Sequence, residues 1–191
     1  KGSHMKRTVT RFLPLFLLAA MLSAIPGLPA QAAGVSIGEF GVSLSLPDSL
    51  DVFTRTMRPD DPVLSLYGMT AEQAKAQLAG EGLYLKAFDI AGAYALTLSL
   101  ASGAGEDLGL MSEAQLADLA RASGGVSYEV FQSRQATFLM FPNAAGQQLT
   151  CLARAGGISF RLRLSAAGSL TSGMAGTLRA IAKSADFGLG Q

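Results

Sequence analysis

Histidine, tryptophan and cysteine are nearly absent from this sequence of 191 residues. The only histidine is His4, the only cysteine is Cys151, and there is no tryptophan. Ser-His-Asp and Cys-His catalysis need an imidazole base beside the nucleophile, and a typical zinc site needs several His or Cys ligands. The composition therefore excludes these classes of enzyme and metal site for this sequence. No catalytic residue, metal or cofactor is predicted.

Cys151 has no second cysteine with which to form an internal disulfide. It lies in a strand-like run in which Leu149, Cys151 and Ala153 share one side, and Thr150 and Arg154 lie on the other. The first side is the more apolar, so we expect a buried and unreactive thiol.

The start of the chain has the pattern of a targeting sequence. Residues 1–4 are typical of a cloning scar, and in residues 5–32 three basic side chains precede the apolar run 12–25. Ala30 and Ala32 supply the small side chains that signal peptidase recognises, so residues 5–32 are predicted to be a signal peptide cleaved after Ala32. The apolar run would span about 21 Å as a helix, short of the roughly 30 Å hydrocarbon core. We therefore predict export, with no stable membrane span after cleavage.

Cleavage would leave residues 33–191 as a single predicted domain. A chain of this length can bury roughly 70% of the surface that its unfolded form exposes. Its eleven basic and fourteen acidic residues give a net charge of −3, which does not favour nucleic-acid binding. Residues 33–118 hold four basic and twelve acidic side chains, and residues 119–191 hold seven and two. The two halves are therefore expected to attract each other.

Two helices are predicted from complete start signals. Thr70 and Gln73 form one capping box, and Ser112 and Gln115 form the other, each pair satisfying amides of a first helical turn. Gly80 is the expected end of the first helix. A third helix is predicted near the end of the chain, because apolar residues recur there at helical spacing.

The remaining pattern predicts antiparallel strands. One strand precedes the first helix, two lie between the helices and four follow the second, and neighbouring strands are joined by turns too short for parallel crossovers. The sequence therefore predicts an α+β fold with a single antiparallel β-sheet and helices packed against it. The predicted strands are residues 42–46, 84–90, 94–100, 126–133, 136–141, 148–154 and 158–165, with a loop at residues 58–62.

The chain resembles the Mog1/PsbP-like superfamily at three places. These are an opening strand with a proline-containing turn (VSLSLPDSLDV, residues 42–52), a middle hairpin and helix, and a closing strand pair whose helix ends in IAKSADF (residues 181–187). The resemblance covers nearly all of residues 33–191 and lies in the order of the elements. It implies an α/β/α sandwich, and binding or scaffolding work rather than catalysis.

Three arginines form the one predicted binding site. The apolar residues that alternate through residues 158–165 must face the core, so Arg161 and Arg163 share the opposite face with Cα atoms about 6.5 Å apart. Arg154 precedes the intervening turn and is expected nearby. Three guanidinium groups on one face suit a carboxylate, a phosphate or an anionic wall polymer. The alternative is structural, with the arginines paired to acids of residues 33–118 or covering a helix with their stems.

The leading prediction is an exported, non-enzymatic binding or scaffolding protein of the bacterial cell envelope or extracellular space. Its expected partner is a protein or an anionic envelope ligand, not nucleic acid. The alternative is a hydrolase that uses a carboxylate pair, because twelve acids lie in residues 33–118. Residues 103–109 are glycine-rich but lack the Lys followed by Ser or Thr of a phosphate-binding loop, so a flexible loop is predicted there.

Overall fold

The computed structural model describes residues 33–103 and 105–188. The predicted cloning scar and signal peptide, residues 1–32, lie outside the described residues. The strands of this part of the chain are β1 (Ala33–Ile37), β2 (Val42–Leu46), β3 (Leu50–Thr54), β4 (Leu85–Asp89), β5 (Tyr94–Ser102), β6 (Glu129–Gln132), β7 (Thr137–Pro142), β8 (Gln148–Ala155) and β9 (Ile158–Ala166). The helices are α1 (Pro62–Leu66), α2 (Ala71–Gly80), α3 (Glu113–Ala122) and α4 (Ser172–Lys183), with a 3₁₀ helix at Leu108–Leu110.

Seven of these strands form one antiparallel sheet in the order β3-β4-β5-β9-β8-β7-β6. The predicted α+β class and antiparallel sheet are confirmed. In addition to this sheet, β1 and β2 pair with each other in a two-stranded hairpin. Val42, Leu44 and Leu46 of β2 are buried in the main core, so this hairpin covers a face of the large sheet instead of extending its edge.

Apolar side chains are buried on both faces of the large sheet. On one face, α4 and the β1–β2 hairpin pack over the main core around Phe138, Phe160 and Leu162. On the other face, α1 and α2 pack around Phe53 of β3, and α3 packs around Leu139 of β7. The sheet is therefore the middle layer of an α/β/α arrangement. None of the helices in the described ranges combines the length and the apolarity needed to cross a membrane.

The two predicted capping boxes start α2 and α3. The Gln73 N–H donates to Thr70 Oγ1 (3.2 Å), and the Thr70 N–H donates to Gln73 Oε1 (2.8 Å). Ser112 and Gln115 make the same reciprocal pair at the start of α3. Both predicted helix starts are confirmed.

The end of α2 and three short elements differ from the predictions. Gly80 remains helical, and Gly82 instead adopts the left-handed conformation (φ +68°) that ends the helix. Strands β1 and β3 and helix α1 lie outside the predicted set. Helix α1 begins at Pro62, within the predicted loop, because Asp61 caps it by accepting a hydrogen bond from the Val63 N–H (3.0 Å).

The residues that follow α4 close over the main core. Asp186 exchanges backbone hydrogen bonds with β2, and the Gln135 side chain donates to its carboxylate (2.9 Å) and accepts from the Phe187 N–H (2.7 Å). The ring of Phe187, which is 2% exposed, lies 5.7 Å from that of Phe160 and 6.3 Å from that of Phe138. The end of the IAKSADF segment is thus part of the core.

Candidate anion-binding site

The middle of one sheet face is open to solvent between α2 and α3. Helix α2 packs over β3 and β4, α3 packs over β7 and β8, and the side chains of β5 and β9 on this face remain at least partly exposed. On the opposite face of the same two strands, Leu96 and Leu162 are fully buried. We call the open strip over β5 and β9 the central channel. Its floor consists of Ala95, Thr97, Ser99, Ser159, Arg161, Arg163 and Ser165.

Strand pairing fixes the positions of Arg161 and Arg163 in the central channel. Arg163 lies between Thr97 of β5 and Thr150 of β8. Arg161, one step further along β9, lies between Ser99 and Leu152 and is exposed. Both arginine side chains therefore lie on the same face, with hydroxyl side chains on both sides of Arg163 and on the β5 side of Arg161.

A cavity of about 280 Å³ lies where the channel meets the C-terminal end of α3. Arg161 and Arg163 line it together with polar groups from three other segments. None of its described lining residues is acidic. The other lining residues are Ala122, Ser123, Gly124, Phe141, Asn143, Gln148 and Thr150.

The two arginines carry positive charge that no described carboxylate neutralises. The ion pairs within 4.0 Å in the described ranges join other residues, and neither Arg161 nor Arg163 takes part in one. The Nε atom of Arg163 is buried and has no hydrogen-bond partner among the described residues. Leaving such a donor unsatisfied costs about 1–3 kcal/mol, more when the group is charged. An anion in the cavity would supply the negative charge that these two groups lack.

Two nearby features modify the local charge. The C-terminal end of α3 lies at the cavity, and its carbonyl groups bring a partial charge of at most about half an elementary charge. This offsets only part of two full positive charges.

Lys86 of β4 pairs with Thr97 in the same cross-strand row as Arg163, but its ammonium lies 3.1 Å from the Glu81 carboxylate. A hydrogen bond from Gln77, together with Lys86, lowers the pKa of Glu81, so this pair stays ionised and neutral overall.

Hydrogen bonds hold the polar rim of the cavity in place. Asn143 Oδ1 accepts from the backbone N–H groups of Gln147 (3.1 Å) and Gln148 (3.0 Å), and the Gln148 side chain donates to Ser165 Oγ (3.3 Å). At Gly125 a Cβ atom would lie 2.8 Å from the Phe141 ring, so only glycine lets this turn approach so closely. The turn after α3 is therefore fixed against β7.

The rim residues were not evident from the sequence pattern. Thr150 lies on the side of β8 opposite Leu149, Cys151 and Ala153, which is the single local signal that it lies on the channel face. Asn143 and Gln148 lie in and beside the β7–β8 turn. Their position at the cavity depends on packing that the local sequence pattern does not predict.

Arg154 lies on the same sheet face as the other two arginines, two residues along β8 from the Leu152 that pairs with Arg161, but it lines a different hollow. It pairs with Ser159, beyond Arg161, and lines a separate hollow of about 50 Å³ with Asp107. The loop that leaves β5 packs against it, since a Cβ atom at Gly105 would lie only 3.0 Å from Arg154 Cδ. This loop runs from β5 to the 3₁₀ helix and passes close to the Arg154 side chain.

Neither hollow brings two carboxylates together. The larger one has no acidic residue among its described lining, and the smaller one has only Asp107. Among the described residues, no three His, Cys, Asp or Glu side chains lie close enough together to hold a metal ion. The hydrolase alternative therefore gains no support from these two hollows.

Comparison with known proteins gives a similarity of fold. No protein-family model matches the chain. No curated protein matches it either. Among solved structures, it is similar to the cyanobacterial PsbP (CyanoP) from Synechocystis sp. PCC 6803, with 14% identity and a TM-score of 0.49 over 87% of this chain and 98% of that chain.

Proposed function

We propose that this protein is an exported, non-enzymatic binding or scaffolding protein of the cell envelope or extracellular space that binds an anionic group in the central channel. Arg161 and Arg163 would supply the charge and most of the hydrogen-bond donors. The observation that carries the proposal is the pair of guanidinium groups at an open cavity, without a described carboxylate partner and with one buried unsatisfied Nε. Arginine suits this work because its planar fork of donors matches carboxylate and phosphate oxygens.

Export is supported by the signal-like pattern of residues 5–32. Cleavage after Ala32 would leave β1, which begins at Ala33, intact. Mass spectrometry of protein secreted by a bacterial host should find Ala33 as the first residue. Retention of residues 5–32 in the secreted protein would contradict the export proposal.

The anion site is tested by titration with inorganic phosphate and acetate, followed by NMR of backbone amides. Perturbations should centre on β9, Ser123, Gly124 and Thr150, and raised salt should weaken them, because exposed charges are screened beyond about 8–10 Å. Replacing both Arg161 and Arg163 with Gln should abolish the response.

A matched control has Arg134 and Lys183 replaced by Gln. It has the same change in net charge, and both of its exposed positions lie outside the channel, at the β6–β7 turn and on α4. This control should keep the phosphate response. If the channel double variant instead unfolds more easily by roughly 1–3 kcal/mol and phosphate causes no local change in the unmodified protein, the arginines are structural and the proposal is wrong.

A further inference from the structure

The width of the central channel restricts what can lie in it. Helix α2 packs chiefly over β3 and reaches β4, and α3 packs chiefly over β7 and reaches β8, so their axes are four to five strand spacings apart, about 19–24 Å at about 4.8 Å per strand. A helix with its side chains is about 10–12 Å across, which leaves an opening of about 8–13 Å. One extended chain fits this opening.

The spacing of the cations matches the repeat of an extended polypeptide. Arg161 and Arg163 are two residues apart on one strand, which places their Cα atoms about 6.5 Å apart. In an extended peptide, alternate side chains point to the same side with the same spacing. Carboxylates at alternate positions of a peptide lying along β9 would therefore each meet one guanidinium group.

In the cross-strand row of Arg163, the unpaired positive charge is confined to β9. Next to Arg163, Thr97 on β5 and Thr150 on β8 are uncharged, and Lys86 on β4 is neutralised by Glu81. A ligand therefore gains most by running along β9, not by crossing the strands.

The hydrogen-bonding groups of the channel suit a peptide backbone. The hydroxyl groups of Thr97, Ser99 and Thr150 both donate and accept. Of the side-chain amides, Asn143 keeps its NH₂ group as a donor and Gln148 keeps its oxygen as an acceptor. A peptide offers N–H donors and C=O acceptors in alternation, so it can use both capacities. A polymer of phosphate groups offers acceptors alone, and would leave the acceptor capacity of the channel unused.

We infer that the ligand of the central channel is an extended acidic segment of a polypeptide, running along β9 with carboxylates at alternate positions. This inference rests on the proposed function, and it adds the class of the partner and the direction in which it lies. Two observations carry it. The channel is positively charged, and its two arginines are spaced two residues apart, as are the side chains on one side of an extended peptide.

The test uses three short peptides with blocked ends and otherwise identical residues. One has two aspartates separated by a threonine, one has the two aspartates adjacent, and one has a single aspartate with asparagine replacing the other. Calorimetric titration should find the alternating peptide bound about tenfold more tightly than either of the others, the gain expected from a second charge-assisted hydrogen bond. Replacing Arg161 or Arg163 singly with Gln should remove that preference, and the Arg134→Gln/Lys183→Gln control should retain it.

Other results separate the two proposals. If all three peptides and inorganic phosphate bind equally well, and all depend on Arg161 and Arg163, the anion site stands and the inference of an extended acidic peptide is overturned. Tighter binding of a linear polyphosphate than of the alternating peptide would also overturn it. If no probe depends on the two arginines in variants whose thermal melts match the unmodified protein, both proposals fail.

Discussion

Replacing Phe187 with Ala should destabilise the domain strongly, because this ring links the segment after α4 to the main core. Phe187 is 2% exposed and packs edge-on to Phe160 and tilted against Phe138. Truncation of a buried phenylalanine costs about 3–5 kcal/mol, through lost apolar burial and the cavity that remains. Domains of this kind are stable by only about 5–15 kcal/mol, so a large fraction of the folding free energy would be lost.

Urea unfolding followed by circular dichroism would measure the change, and a thermal melt should show a decrease of about 2–4 °C per kcal/mol for a domain of this size. Phe187→Leu is the matched control, because it keeps most of the buried volume and should cost no more than about 1.5 kcal/mol. A loss below about 1 kcal/mol for Phe187→Ala would refute the reasoning, since it would mean that residues 184–188 do not close the core.

Three further changes are expected. Cys151 is fully buried, and burial raises the pKa of its thiol, so a thiol reagent should label it only as fast as the protein unfolds; rapid labelling in native buffer would contradict this. Thr70→Ala and Ser112→Ala should each cost about 1 kcal/mol in urea unfolding, because each removes an N-cap; no change would show that the capping boxes contribute nothing. Partial burial and a hydrogen bond to Asp51 raise the pKa of Tyr67 from 10.0 to about 12. The folded state therefore holds this proton more tightly than the unfolded chain, and stability should fall between pH 10 and about 12. Tyr67→Phe should remove that part of the fall.

Elements with strong local signals were predictable from the sequence. Helices α2 and α3 each carry a complete capping box, and β9 alternates cleanly between buried and accessible residues. Strand β3 gives no such alternation, since Leu50 packs into the main core and Phe53 packs on the opposite face beneath α1 and α2. A strand with apolar residues packed on both faces shows no clear alternation of apolar and polar residues, which explains why the sequence pattern did not predict β3.

The candidate site was predictable only in part. The period of β9 placed Arg161 and Arg163 on one face, because side-chain direction along a strand is a local property. Whether a helix would cover that face depends on where α2 and α3 pack, and that is decided by contacts between residues far apart in the sequence. The same limit applies to Arg154, because no local pattern predicts that the loop around Gly105 packs against it.

The side chains of β5 and β9 favour a functional role for the central channel over a face that is merely left uncovered. These are central strands of the sheet, and one of their faces is entirely buried, with Leu96, Leu98, Leu162 and Leu164 all fully inaccessible. Apolar residues on the other face as well would let a helix cover it and add roughly 25 cal/mol for each Å² buried. Instead that face carries hydroxyl groups and two arginines, one with a buried donor left unsatisfied. Departures from a locally optimal pattern concentrate at functional sites, and the channel face of β5 and β9 is such a departure.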